Sequence, residues 1–228
     1  LDNSLILSID TIRPSITLTS DLASLKAGET TSLTFTLSES SSNFTEADIN
    51  ISGGSLSAFS GSGSSYSAIF TPDLGSNADG VISVDSSSFS DLAGNPNSDG
   101  SDLDNTLILS IDTLAPSIAL TSDITSLNAG DVANLSFSLS EPSTDFDASD
   151  ISISGGSLSA FSGSGSSYST IFTPNADSIA DGLISIASSS FSDSASNFNI
   201  DGADPDNSLT LSIDTRPPSI SISSETSS

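Results

Sequence analysis

The chain has 228 residues, 60 of them serine, with 29 Asp and Glu against 3 Lys and Arg, a formal charge of −26, and no His, Cys, Met or Trp. Without imidazole or thiol, Ser-His-Asp and Cys-His catalysis and zinc sites built from Cys and His are excluded. Three basic residues cannot displace the counterions of a nucleic acid or an anionic membrane surface, and no apolar run reaches the ~18 residues of a membrane span.

Disorder is the first alternative for so acidic a chain. Yet only 14% of residues are charged and 35% are hydrophobic, and the hydrophobic ones are regularly placed. Leu5, Leu7 and Ile9 alternate with Ile6, Ser8 and Asp10. Ile16 and Leu18 mark a second strand, and Leu33, Phe35 and Leu37 a third. Ile49 and Ile51 run into Gly53-Gly54, a turn or bulge. Leu56 and Phe59 precede Gly61-Ser62-Gly63, followed by Tyr66, Ala68 and Phe70, and Ile82 and Val84 complete the set. Short alternating runs broken by Gly, Asn, Asp and Ser every 8–12 residues (the usual spacing in all-β domains) predict strands throughout.

The pattern then repeats. LDNSLILSID at Leu1–Asp10 returns as LDNTLILSID at Leu103–Asp112 and PDNSLTLSID at Pro205–Asp214. Residues 1–102 and 103–204 agree at 69 of 102 positions without gaps. A unit of this length suits one compact domain rather than a solenoid turn. Seven or so strands in it predict a β-sandwich of immunoglobulin type, so the fold class is all-β, tandem Ig-like sandwiches in an extended array. The expected domains are residues 12–113 and 114–215, with 1–11 ending a preceding repeat and 216–228 beginning a third. Residue 1 falls inside a repeat, so the chain is expected to be part of a longer protein.

Topology directs the acids. In such a sandwich the incoming linker, the turn after the Leu33–Leu37 strand and the loop before the last strand share one pole. The linker carries Asp10, the turn Glu39, and the loop runs from Asp91 to Asp104. Within that loop Asn95, Asn97, Asp99 and Gly100 spell N-x-N-x-D-G, alternate oxygen donors with a turn glycine, as in calcium loops. Asp102 and Asp104 follow. The second copy has Asn197, Asn199 and Asp201, then Asp204 and Asp206. A solvated Asx-rich turn is the alternative. Asp10-Thr11-x-x-Pro14 recurs as Asp112-Thr113-x-x-Pro116 and Asp214-Thr215-x-x-Pro218, so an aspartate stands at every junction near Glu39 or Glu141. It could hold a cation or merely form an Asx turn. Asp48 and Asp150 begin the following strand as ligands or turn caps. Hard oxygen donors with almost no counter-charge point to Ca2+ as the one expected cofactor. Tyr66 and Tyr168 are expected to pack rather than stack on a ligand. Three sequons, at Asn43, Asn50 and Asn134, matter only in a glycosylating host.

DTIRPSITLTSD at Asp10–Asp21, LKAGETTSLTFTLSES from Leu25, FTEADINISGGSLSAFSGSGSSYSAIFTP from Phe44 and FSDLAGN from Phe89 resemble the bacterial Ig-like repeats of giant surface adhesins, RTX proteins exported by the type I route. The resemblance covers both repeats and the opening of the third. It implies an extracellular, cell-surface stalk that is calcium-binding at its domain junctions and serves cell adhesion and biofilm. It implies no enzyme and a monomer whose partners are neighbouring repeats. By the same resemblance, metal ligands are Asp10, Glu39, Asp91 and Asn95, and in the second copy Asp112, Glu141, Asp193 and Asn197. One departure is Ser196, which replaces the glycine of D-x-A-G-N. A glycan-binding or self-associating module, or the spacer of a secreted enzyme, is the alternative.

Overall fold

A computed structural model describes residues 5–98, 103–200 and 205–224. Contacts divide the chain into two units, Leu1–Leu114 and Ala115–Ser228. Both are all-β Ig-like sandwiches, as the alternating sequence requires.

In the first unit β1 (Ile16–Ser20), β3 (Thr31–Ser41) and β5 (Gly54–Pro72) form one sheet in the order β1-β3-β5. The other sheet is β2-β7-β6-β4, built from β2 (Ser24–Lys26), β4 (Ile49–Ser52), β6 (Gly80–Val84) and β7 (Thr106–Asp112). The three-residue strand β2 is not evident in the hydrophobic pattern. It pairs in parallel with β7, Leu25 opposite Ile111, and buries Leu25. A strand this short carries too few alternations to register as a period. The second unit repeats the plan with β8 (Ile118–Ser122), β10 (Ala133–Ser143) and β12 (Gly156–Pro174) in one sheet. Its other sheet holds β9 (Ser126–Asn128), β11 (Ile151–Ser154), β13 (Gly182–Ile186) and β14 (Ser208–Asp214).

The core lies between the sheets. Leu33, Phe35 and Leu37 of β3 face it, with Ile82 and Val84 of β6 and Leu109 and Ile111 of β7. Small residues make the sandwich close. A Cβ on Gly54 would stand 2.5 Å from the Phe70 ring and 2.4 Å from Thr71 O, so only glycine admits that approach. Tyr66 is a packing residue: it is buried, donates its hydroxyl to Ser41 O at 3.1 Å, and meets Phe44 edge-on at 5.0 Å. Tyr168 is equivalent, with 2.9 Å to Ser143 O. Both tyrosines thereby tie the aromatic cluster to the end of the strand that leads into the acidic pole.

Candidate metal centre

Three segments of the first unit deliver a carboxylate to one point. Asp10, Glu39 and Asp91 each offer an oxygen within 4.8 Å of the others. Each arrives for a local reason. Asp10 closes an Asx turn, its Oδ1 accepting from Ile12 N at 3.1 Å. The turn and a place in the cluster are thus compatible. Glu39 lies inside β3, not in the turn after it. It continues the inward series Leu33, Phe35, Leu37, and so points a carboxyl along the core face at the strand's end. The β3–β5 pairing slips its register between Thr36 and Ser41, which ends the regular ladder beside it. Asp91 stands in the β6–β7 loop, opposite Ser41, and is 5% exposed.

Asn95 closes the loop around Asp91. Its backbone N donates to Asp91 Oδ1 at 2.8 Å and its Nδ2 to Oδ2 at 2.8 Å. Nδ2 also reaches Asp10 O at 3.2 Å. Asn95 therefore presents its donor side to the cluster.

The electrostatics follow. Burial, then the charges of Asp10 and Asp91, push the Glu39 carboxyl above its ordinary value. Burial alone would raise Asp91 too, but the Asn95 side chain and the backbone amides of residues 93–95 outweigh it and hold Asp91 below its ordinary value. One carboxylate is favoured in its charged form while a second is crowded by its neighbours. A hard divalent cation would relieve that arrangement, and oxygen donors of this type suit calcium.

In the second unit Glu141 and Asp193 likewise bring carboxylate oxygens within 4.8 Å. Asn197 N donates to Asp193 Oδ1 at 2.8 Å and its Nδ2 to Oδ2 at 2.9 Å. Asp112, the last residue of β7, caps its own turn through Leu114 N at 3.3 Å.

The other sequence candidates go elsewhere. Asn97 is fully buried; its Oδ1 accepts from Phe89 N and its Nδ2 donates to Asp85 O, both at 3.0 Å. Asn199 does the same with Phe191 N at 3.0 Å and Ala187 O at 2.9 Å. The N-x-N spacing thus splits between two tasks: the first Asn braces the acid and the second pins the loop to the core. Asp48 caps a single 3-10 turn, its Oδ2 accepting from Thr45 N at 2.7 Å, and Asp150 accepts from Asp147 N at 2.7 Å. Burial, then Asp147 and Asp145, raise the Asp150 carboxyl against the opposing bond from Asp147 N. Asp104 lies at the far end of the loop, Oδ2 accepting from Thr17 Oγ1 at 2.7 Å and Oδ1 buried with no hydrogen-bond partner among the described residues. Asp206 sits in the short turn Pro205–Asn207. Asp99, Asp102, Asp201 and Asp204 lie outside the described residues.

One residue carries more than the sequence suggested. Thr113, in the D-T-x-x-P motif, is buried. Its hydroxyl donates to Asp73 O at 2.6 Å and accepts from Ser76 N at 3.0 Å. Thr215 repeats this with Asn175 O at 2.7 Å and Ser178 N at 2.9 Å. The signal was present, since a threonine follows the aspartate in all three copies of the motif.

The family described as bacterial Ig-like domain matches residues 10–108 and again 112–213. No curated protein matches the chain. Among solved structures it is similar to FdeC, an Escherichia coli adhesin, at 16% identity, TM-score 0.46, covering 87% of this chain and 64% of that one. It is similar to invasin, a bacterial integrin-binding protein, at 13% identity and TM-score 0.43, covering 88% and 40%. For the Yersinia pseudotuberculosis adhesin InvE the figures are 10%, 0.33, 88% and 59%. The chain spans less than two thirds of each of these proteins, and its family placement rests on the two-copy family match.

Proposed function

The chain belongs to the bacterial Ig-like domain family, and on that premise we propose that its repeats are calcium-rigidified extender domains of a secreted or cell-surface adhesin. They space an adhesive domain from the cell and contribute to adhesion and biofilm. The observation that carries this reading is the meeting of Asp10, Glu39 and Asp91, drawn from the linker, a strand and a loop of one unit.

An ion at that point would cross-link the incoming linker to the body of the domain. Asp112 stands 102 residues after Asp10, as Glu141 and Asp193 stand after Glu39 and Asp91, so the sequence repeats the three acids. The RTX export route and the surface location belong to the same proposal. Submicromolar cytosolic calcium would leave the sites empty before export. Extracellular modules bind calcium at about 10⁻⁴–10⁻³ M, so millimolar calcium outside would fill the sites and stabilise the folded state alone. The absence of Cys suits a protein stapled by ions rather than disulfides.

The test is calorimetric titration with CaCl2, beside thermal melts in calcium and in EGTA. Calcium should bind with heat and raise the melting temperature. No heat and no shift would sink the reading. Glu39→Gln sharpens it by a double signature. The charged form of Glu39 is disfavoured in the folded state, so the neutral variant should melt no lower than wild type in EGTA yet lose the calcium response of the first unit.

A further inference from the structure

We propose that the D-T-x-x-P segment confines the joint between successive repeats to its two x residues, with or without calcium. The inference rests on how each half of the motif is bound within its own unit, and stands apart from the calcium reading.

The threonine belongs to the domain being left. Besides its hydroxyl bonds to the β5–β6 loop, Thr113 donates its backbone N to Ser76 O at 2.8 Å. Thr215 does the same to Ser178 O at 2.8 Å. Both threonines are buried. A buried hydroxyl with a donor and an acceptor partner cannot leave without stranding both, so the chain is rooted up to this residue.

The proline belongs to the domain being entered. Pro116 is buried in the second unit and its carbonyl accepts from Ile200 N at 3.3 Å. The next residue is held as well, Ser117 N donating to Ser140 Oγ at 2.9 Å. The first unit receives its linker identically, Pro14 O accepting from Ser98 N at 3.0 Å and Ser15 N donating to Ser38 Oγ at 2.9 Å.

Only Leu114 and Ala115 remain between the two anchors, and neither is free. The Asx turn from Asp112 holds Leu114 N. Ala115 precedes proline, which removes the helical region from its choices. Three Cα steps separate the anchors, a reach of roughly 11 Å at full extension. Stiffness is therefore built into the covalent joint, and a cation at the linker aspartate would act on a joint already short. The third copy fills the second position with Pro217, after Arg216, which removes one more torsion.

The chain has no cysteine, so spin labels can be placed cleanly at Ser62→Cys and Ser164→Cys, exposed and equivalent positions of the two units. Distance distributions are read in EGTA, with a Gly-Gly insertion between Leu114 and Ala115 as the free-joint reference. The wild type and Thr113→Ser should give a narrow distribution. Thr113→Val, which keeps the shape and loses the hydroxyl, should broaden toward the insertion. A wild type as broad as the insertion overturns the proposal. So does a folded Thr113→Val as narrow as wild type, since a residue that only supports the fold would lower the melting temperature without changing the width. Should Thr113→Val unfold the first unit, the decision passes to Ala115. Ala115→Gly should broaden the distribution and Ala115→Pro should narrow it, and two unchanged widths would place the joint elsewhere.

Discussion

The loop around Asp91 and the loop around Asp193 reach one geometry from different turn chemistry. Gly94 takes φ 91° in the first, and Ser196 takes φ 70° in the second. A serine there is strained, and a glycine is not. Yet the same bonds close both loops. Asp91 N donates to Asn95 O and Asp193 N to Asn197 O, each at 3.1 Å. Both asparagines grip both carboxylate oxygens of their aspartate. The aspartate–asparagine pincer, anchored one step on by buried Asn97 or Asn199, therefore defines the loop. The glycine only makes it easier to form.

If that is right, losing the pincer should hurt both loops. Asp193→Ala and Asp91→Ala should each lower the stability of their unit, because each leaves the asparagine's amide groups without their acceptor. Urea melts of the two variants give the comparison, and an unchanged stability in either would break it. Exchanging the turn residue has a smaller effect. Open space surrounds the Cβ position of Gly94, so Gly94→Ser should cost only its backbone term, about 1 kcal/mol, and Ser196→Gly should return up to that amount less the entropy of the added glycine. Thermal melts decide this; a large effect at either position would restore the glycine to the leading role.

The smallest expected difference lies one loop away. Asn43 Oδ1 accepts from Ser90 N at 3.0 Å, and its counterpart Asp145 accepts from Ser192 N at 2.9 Å and from Ser192 Oγ at 2.7 Å. Burial would raise the Asp145 carboxyl, but the bonds from Ser192 and Ser143 prevail and hold it below the ordinary 3.8. A depressed folded value contributes stability that is present above 3.8 and is lost as pH falls through the folded value. Asp147 and Asp150 share this loop and titrate nearby. Asp145→Asn should therefore be less stable than wild type at neutral pH, and the gap should close under acid. A gap that persists unchanged in acid would count against the bonded carboxylate.

Much of this was legible in the chain. Alternation at Leu33, Phe35 and Leu37 determines an inward-facing strand, and carried two residues further it already turns Glu39 toward the core. The 102-residue repeat determines that whatever one linker aspartate does, the next can do. Read as a linear calcium loop, however, Asn95, Asn97 and Asp99 stood as equals. The fold separates the two asparagines, because Asn97 meets Phe89 and Asp85 while Asn95 meets Asp91 and Asp10. Asp48 and Asp150 were ligands or caps in equal measure, and the fold shows the capping bond that each accepts at its 3-10 turn.

Sequence by itself determined the period, the longer strands and the segments that carry acid, since these depend on the order of polar and apolar groups along the chain. It missed β2 and β9, and the strand expected at Leu5, Leu7 and Ile9 is none, those side chains being exposed. Only the tertiary structure decided which oxygens share a point and which hydroxyl roots the linker. Asp10 and Asp91 are far apart in sequence, as are Thr113 and Asp73. What each side chain bonds to depends on which distant loop the sandwich folds beside it, and local spacing carries no record of that.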